Sequence, residues 1–152
     1  MMHRANLYRL FTTLLLFCLT LPLQAQQFER VGDYQIHYSA VSTSFLSPEV
    51  ASTHGVQRSP AMALVNISVL EQRGDGTTRT VNAPVSGTVG TVGDTSPASL
   101  SFRSLRTGDS VSQIAVFRII EGEPMHFDLE IRHDRNEAPT NVGFIQRFTI
   151  DR

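Results

Sequence analysis

Glu49 lies in the first turn of Ser47 to Gly55, a segment with the marks of a short helix, and Arg58 just beyond its end, so a chain that folds back on itself could bring carboxylate and guanidinium together. The pair would then clamp the loop, or Arg58 would stay free to hold an anionic ligand in the two-pronged geometry of a planar guanidinium. Asn66 is the second candidate, because it interrupts the apolar stretch from Ala61 to Leu70. An amide buried there needs partners, since an unsatisfied buried polar group costs about 1–3 kcal/mol. Those partners would be a neighbouring loop backbone or a ligand. His126, Asp128 and Glu130 alternate along one segment, with His133 just beyond. Same-face side chains of a strand are near enough to share a divalent metal, although exposed strand faces are commonly built of such residues.

Other chemistry finds less support. There is no Gly-x-Ser-x-Gly elbow and no His-Glu-x-x-His zinc motif. Scattered carboxylates permit a glycosidase pair in any chain and decide nothing. Arg73-Gly74-Asp75 is an adhesive tripeptide in other settings, but the glycines around it read as a hairpin tip. The single cysteine, Cys18, lies in the N-terminal apolar run. No cofactor is implied, and arginines scattered over a mildly acidic chain that has no lysine leave no footprint for nucleic acid.

These groups must be positioned by a domain with a particular address. Residues 1–25 read as a cleaved signal peptide: Arg4 and Arg9 form a positive start, Leu10 to Leu21 an apolar centre, and Pro22-Leu23-Gln24-Ala25 the break and small residue before Gln26. The run is short for a transmembrane helix, which needs about 20 apolar residues. Phe17 is bulky where a lipidated Cys18 would want a small neighbour, so no stable membrane anchor is expected after cleavage. Cleavage removes two of the 13 basic residues and none of the 14 acidic ones, moving the formal charge from −1 to −3. A mature domain without disulfides in an oxidising compartment points to a Gram-negative periplasm.

Residues 26–152 have the size of one domain and alternate apolar and polar residues in short runs broken by Gly, Pro, Asn, Asp and Ser. The pattern predicts an all-β, immunoglobulin-like sandwich of seven or eight strands. Tyr34, Ile36 and Tyr38 share one face of the first strand, opposite Asp33, Gln35 and His37. The apolar Ala61–Leu70 strand is expected to be central and covered on both faces. Thr78–Val85, a weak glycine-bearing Val85–Val92, Leu100–Leu105, Gln113–Ile120, Met125–Arg132 and Phe144–Ile150 follow. Phe127, Leu129 and Ile131 should face inward. Ser47 as N-cap, Pro48 at the first helical position, Glu49 in the first turn and Gly55 as a stop predict a helix of at most two turns between the first two strands.

Tyr38-Ser39-Ala40, the run Thr43 to Ala51, Gly55, Arg58-Ser59 and Ala63-Leu64-Val65-Asn66-Ile67-Ser68-Val69 resemble the bacterial family called domain of unknown function 4426, whose members are short secreted single-domain proteins. The resemblance implies an address and a β-fold and supplies no mechanism. Pro60 departs from it, standing where a basic residue is expected after Arg-Ser.

The functional expectation is a periplasmic binding or assembly module that holds a protein or cell-envelope component through a sheet edge or the loop around the short helix. One rival is a hydrolase, which would need two convergent ionisable groups in a concave pocket. The other is a metal-binding module at His126 and Asp128.

Overall fold

The structure, a computed structural model, describes residues 27–150; the expected signal peptide and Cys18 lie outside them. Two antiparallel sheets, each apolar on the face turned to the other, make a β-sandwich. The chain runs β1 (Phe28–Val31), β2 (Tyr34–Ser42), a 3-10 turn (Thr43–Phe45), helix α1 (Pro48–Thr53), β3 (Met62–Gln72), β4 (Thr78–Val81), β5 (Val85–Thr91), β6 (Ala98–Ser99), β7 (Arg103–Thr107), β8 (Ser110–Arg118), β9 (Pro124–Ile131) and β10 (Thr140–Arg147). The larger sheet has the order β1-β2-β3-β8-β7, and the smaller one β10-β9-β5-β6. β3 is the spine of the larger sheet. Its first half pairs with β8 and its last four residues with β4, while β2 runs along its whole other edge.

The ten strands among the described residues exceed the seven or eight expected, for local reasons. Phe28–Val31 folds onto β2 through a two-residue turn that Gly32 permits at φ 56°, so α1 follows the second strand and not the first. The expected strand Leu100–Leu105 begins only at Arg103, because the chain changes sheets just before it: Ala98–Ser99, ahead of the expected strand, pairs with β5 in one sheet, and Arg103 onward with β8 in the other.

The core follows strand parity. Ile36, Ala40, Ala63, Val65, Ile67, Val69, Ala115 and Phe117 of the larger sheet face Val89, Met125, Phe127, Leu129, Ile131, Val142 and Phe144 of the smaller. Phe127 stacks on Phe144 at 4.4 Å and meets Phe117 edge-on at 5.1 Å. The glycine-bearing β5 lies inside its sheet, where a Cβ on Gly87 would stand 2.3 Å from the Asp128 carbonyl oxygen. Here glycine serves close approach of two backbones and not a turn.

Ser47 caps α1, its hydroxyl accepting from the Val50 N–H at 3.1 Å, with Pro48 in the first turn and Gly55 at φ 62° just past the end. Val56 then turns under the helix and joins Leu64 and Ile114 in a small second core, flanked by Leu46 and Leu105. That core covers the outer face of β3 only near Leu64. The strand is therefore covered on both faces at its start alone, and Asn66, Ser68 and Leu70 stay half-exposed on the outer side. No helix among the described residues is long and apolar enough to cross a membrane.

Candidate functional site

Antiparallel register dictates what the outer face of the larger sheet carries. Ser39 of β2 lies opposite Asn66 of β3, and Asn66 opposite Ile114 of β8; His37 lies opposite Ser68, and Leu105 of β7 opposite Ser112. Side chains of one parity thus form a floor of Ser, Asn and Leu across four strands. Three depressions open on it. One of about 600 Å³ runs over β2 and β3 past His37, Ser39, Asn66, Ser68 and Leu70 to Gln146. A second, about 350 Å³, is mainly apolar and lies between α1 and the floor at Val41, Val50, Leu64 and Leu105. The third, about 280 Å³, extends over Thr80, Thr107, Ser110 and Ser112. Among the described residues, Asn66 is the one that borders all three.

Asn66 is therefore half-buried in a trough and not sealed in the core, which corrects the expectation that its amide is buried. No side-chain hydrogen bond to it forms among the described residues. His37 adds a second polar group without a partner: its Nε2 is buried and meets no hydrogen-bond partner among the described residues, while its ring stacks on Phe28 at 5.3 Å. Among the described residues no Asp, Glu, Arg or Lys borders any of the three depressions; His37 and His54 are the ionisable side chains there, with the Tyr38 phenol, which burial, and then the Glu29 charge, holds protonated above its ordinary range. Gln146 reaches across from the smaller sheet and donates to the Ala40 carbonyl at 2.7 Å, closing one side.

The wall beside α1 is held differently from the expected ion pair. Glu49 is exposed and makes no ion pair among the described residues, and Arg58 donates to the Ser44 carbonyl at 2.9 Å. The cause is Thr43, fully buried at the end of β2. Its hydroxyl accepts from Ser59 N–H at 2.9 Å and donates to Ser59 O at 3.1 Å, with Met62 O at 3.3 Å. That lock brings residues 58 and 59 beside the 3-10 turn, away from the first turn of α1 where Glu49 points to solvent. Arg103 of β7 donates to the His54 carbonyl and fixes the far end of the helix.

His126, Asp128 and Glu130 occupy the exposed outer face of the smaller sheet. Their cross-strand neighbours are Ile145 and Gly90, Gly143 and Thr88, and Asn141 and Ser86, which bring no further imidazole or carboxylate. Accordingly, no three His, Cys, Asp or Glu side chains among the described residues gather as metal ligands, because successive same-face positions stand roughly 6–7 Å apart along a strand. His133 is buried elsewhere, with Nε2 3.1 Å from Glu137, Nδ1 3.3 Å from the Thr140 hydroxyl, and its ring edge-on to Tyr34.

Tyr34 anchors a polar cluster at that end of the sandwich. Its hydroxyl donates to Glu71 at 3.5 Å and Asp134 at 3.4 Å, and Glu71 is paired with Arg79. Burial first, then the two carboxylate charges, raise the Tyr34 hydroxyl above its ordinary pKa, while the Arg79 hydrogen bond holds the Glu71 carboxyl below its own. Two carboxylates do converge here, yet neither borders any of the three depressions, and their partners tie β2 and β3 to the loop before β10. At Arg73-Gly74-Asp75 the Asp75 carboxylate accepts from Thr77 N–H at 2.9 Å and Thr77 hydroxyl at 2.6 Å, so it closes a hairpin tip.

His37, Ser39, Ser68 and Ser112 were not singled out in the sequence. Their signal was available as a contrast: the outward positions of β2, β3 and β8 are largely uncharged, while those of β9 are His, Asp and Glu.

The sequence model of the family described as domain of unknown function (DUF4426) matches residues 28–151. Among solved structures, a DUF4426 family protein from Pseudomonas aeruginosa PAO1 is 28% identical, with a TM-score of 0.70 over 86% of this chain and 99% of that one. No curated protein matches the chain.

Proposed function

The chain belongs to the DUF4426 family, a membership that carries a fold and no reaction, and from it we propose a binding module whose site is the open trough on the outer face of the larger sheet. The observation that carries this reading is Asn66, an amide that among the described residues has no side-chain partner, where three depressions lined by no described Asp, Glu, Arg or Lys meet. Sites for small or extended ligands are concave, largely apolar and supplied with a few unmet polar groups, and this trough has those properties. The sandwich is read as immunoglobulin-like in type, supported by the crossovers that pair β3 with β8 and β5 with β9. With the signal peptide cleaved after Ala25, the module works in the periplasm and holds a protein or cell-envelope component.

A photo-crosslinking residue placed at Ser39, exposed at the trough, tests this against one at Glu130 on the opposite face. Crosslinking in living cells is expected from Ser39 and not from Glu130, and Asn66→Ala should reduce it. Equal capture from both faces, or capture from Glu130 alone, would remove the trough from consideration.

A further inference from the structure

We infer that the ligand of the large depression over β2 and β3 is an uncharged saccharide chain, an inference that rests on the trough being the binding site. Three observations converge on this class. Gln27, His37, Ser39, Asn66 and Ser68 line the depression with carboxamides, hydroxyls and an imidazole, and among the described residues no Asp, Glu, Arg or Lys lines it. Such groups match neutral donors and acceptors such as sugar hydroxyls and N-acetyl groups, whereas phosphates, acidic glycans and cationic peptides would lose hydration without gaining a counter-charge.

The floor is also mainly the face of a sheet, reaching the edge of β2 at Tyr38 and Ala40. Ser39 pairs with Asn66 and His37 with Ser68 within the β2–β3 ladder, so their main-chain groups are engaged. A bound peptide strand takes much of its affinity from main-chain hydrogen bonds at an open edge; where the depression reaches the edge of β2, the Tyr38 N–H already donates to Gln27 and the Ala40 carbonyl already accepts from Gln146. A polyol is read by side chains alone.

The third observation is the Phe28–His37 pair. The rings stack with 28° between planes, and Phe28 is 48% exposed on the same face, beside the depression. A flat aromatic face with its negative quadrupole suits the C–H face of a pyranose ring. Asn66, which has no side-chain hydrogen-bond partner among the described residues, then offers both donor and acceptor to the hydroxyls of a sugar. A volume of about 600 Å³ lies within the roughly 300–1,000 Å³ of small-ligand sites.

The test is titration of 15N-labelled protein with N-acetylglucosamine tetramer and, in parallel, cellotetraose, followed by amide shifts. Shifts confined to residues 37–41 and 66–70, weakened at least about tenfold by Asn66→Ala and by Phe28→Ala, which removes the exposed aromatic face, support the inference. Both variants change outer-face side chains, and an unchanged thermal midpoint shows that they fold. No shift with either saccharide at millimolar concentration, or shifts that survive Asn66→Ala, overturns it. If saccharides fail while Ser39 still crosslinks in cells and Asn66→Ala still abolishes that capture, the saccharide class falls and the trough stands. If the Ser39 crosslink is absent as well, both fall.

Discussion

Replacing Thr43 by valine should unlock the wall of the trough while leaving its shape almost unchanged. Thr43 has no exposed surface, and its hydroxyl is the only side-chain partner of the Ser59 N–H, accepting at 2.9 Å. Valine fills the same volume but offers nothing to that donor. Leaving a buried N–H unmet costs about 1–3 kcal/mol, and Ser59 is half-buried, which admits some rescue by water and places the loss near the lower end. The Ser59 carbonyl loses the Thr43 hydroxyl but keeps the Met62 N–H at 3.3 Å, so that side adds about 0.5–1 kcal/mol. The sum is about 2 kcal/mol, or a thermal midpoint lower by about 6–10 °C for a domain of this size. Urea unfolding and calorimetry measure it, and hydrogen exchange should show residues 43–59 opening before the sheets. Glu49→Ala and Arg58→Ala provide the contrast: with no contact between them, their effects should add within about 0.5 kcal/mol. A Thr43→Val midpoint within about 2 °C of the parent, or a clear coupling between Glu49 and Arg58, would falsify this account of how the loop is held.

Gly87→Ala should destabilise by at least about 1–3 kcal/mol, because the new Cβ would stand 2.3 Å from the Asp128 carbonyl oxygen, whereas Gly143→Ala, whose nearest contacts are at 3.7 Å, should be neutral or mildly stabilising; chemical denaturation of the pair that ranked them equally would contradict the close-approach argument. Phe127→Ala should cost about 3–5 kcal/mol, given its burial among Phe117, Phe144 and Phe148, while Asp128→Ala on the exposed parity should stay within about 0.5 kcal/mol; similar losses would mean that the inward parity is misassigned. Ultraviolet titration should find Tyr34 ionising above the ordinary 10.0, and Asp134→Asn should bring it down. Since its folded-state value is raised, this group's contribution to stability is complete below pH 10 and is lost as pH climbs through the folded value. Glu71 runs the other way, with a contribution present above its ordinary 4.5 and lost as pH falls through its lowered folded value; a stability profile flat at both ends would count against the Tyr34–Glu71–Arg79 cluster.

Much of this protein is determined by local rules. Alternation placed Phe127, Leu129 and Ile131 inward, because a strand's side chains change face with every residue whatever the strand packs against. Ser47, Pro48 and Gly55 specify α1 from both ends, since capping and positive φ act within one turn. Quoted residues from Tyr38 to Val69 sufficed to indicate the family whose model covers residues 28–151. What the sequence could not decide is which apolar strand face would be covered, and by what. Ala61–Leu70 reads as apolar on both parities, but only the tertiary fold puts Val56 and α1 over Leu64 and leaves Asn66 in the open. Pairing between strands distant in the chain, β3 with β8 above all, assembles the trough from residues that no spacing connects. Arg58 shows the same limit at short range: Glu49 is nearer in sequence, yet the buried Thr43 hydroxyl decides where residue 58 lies, and its guanidinium takes the carbonyl it finds there.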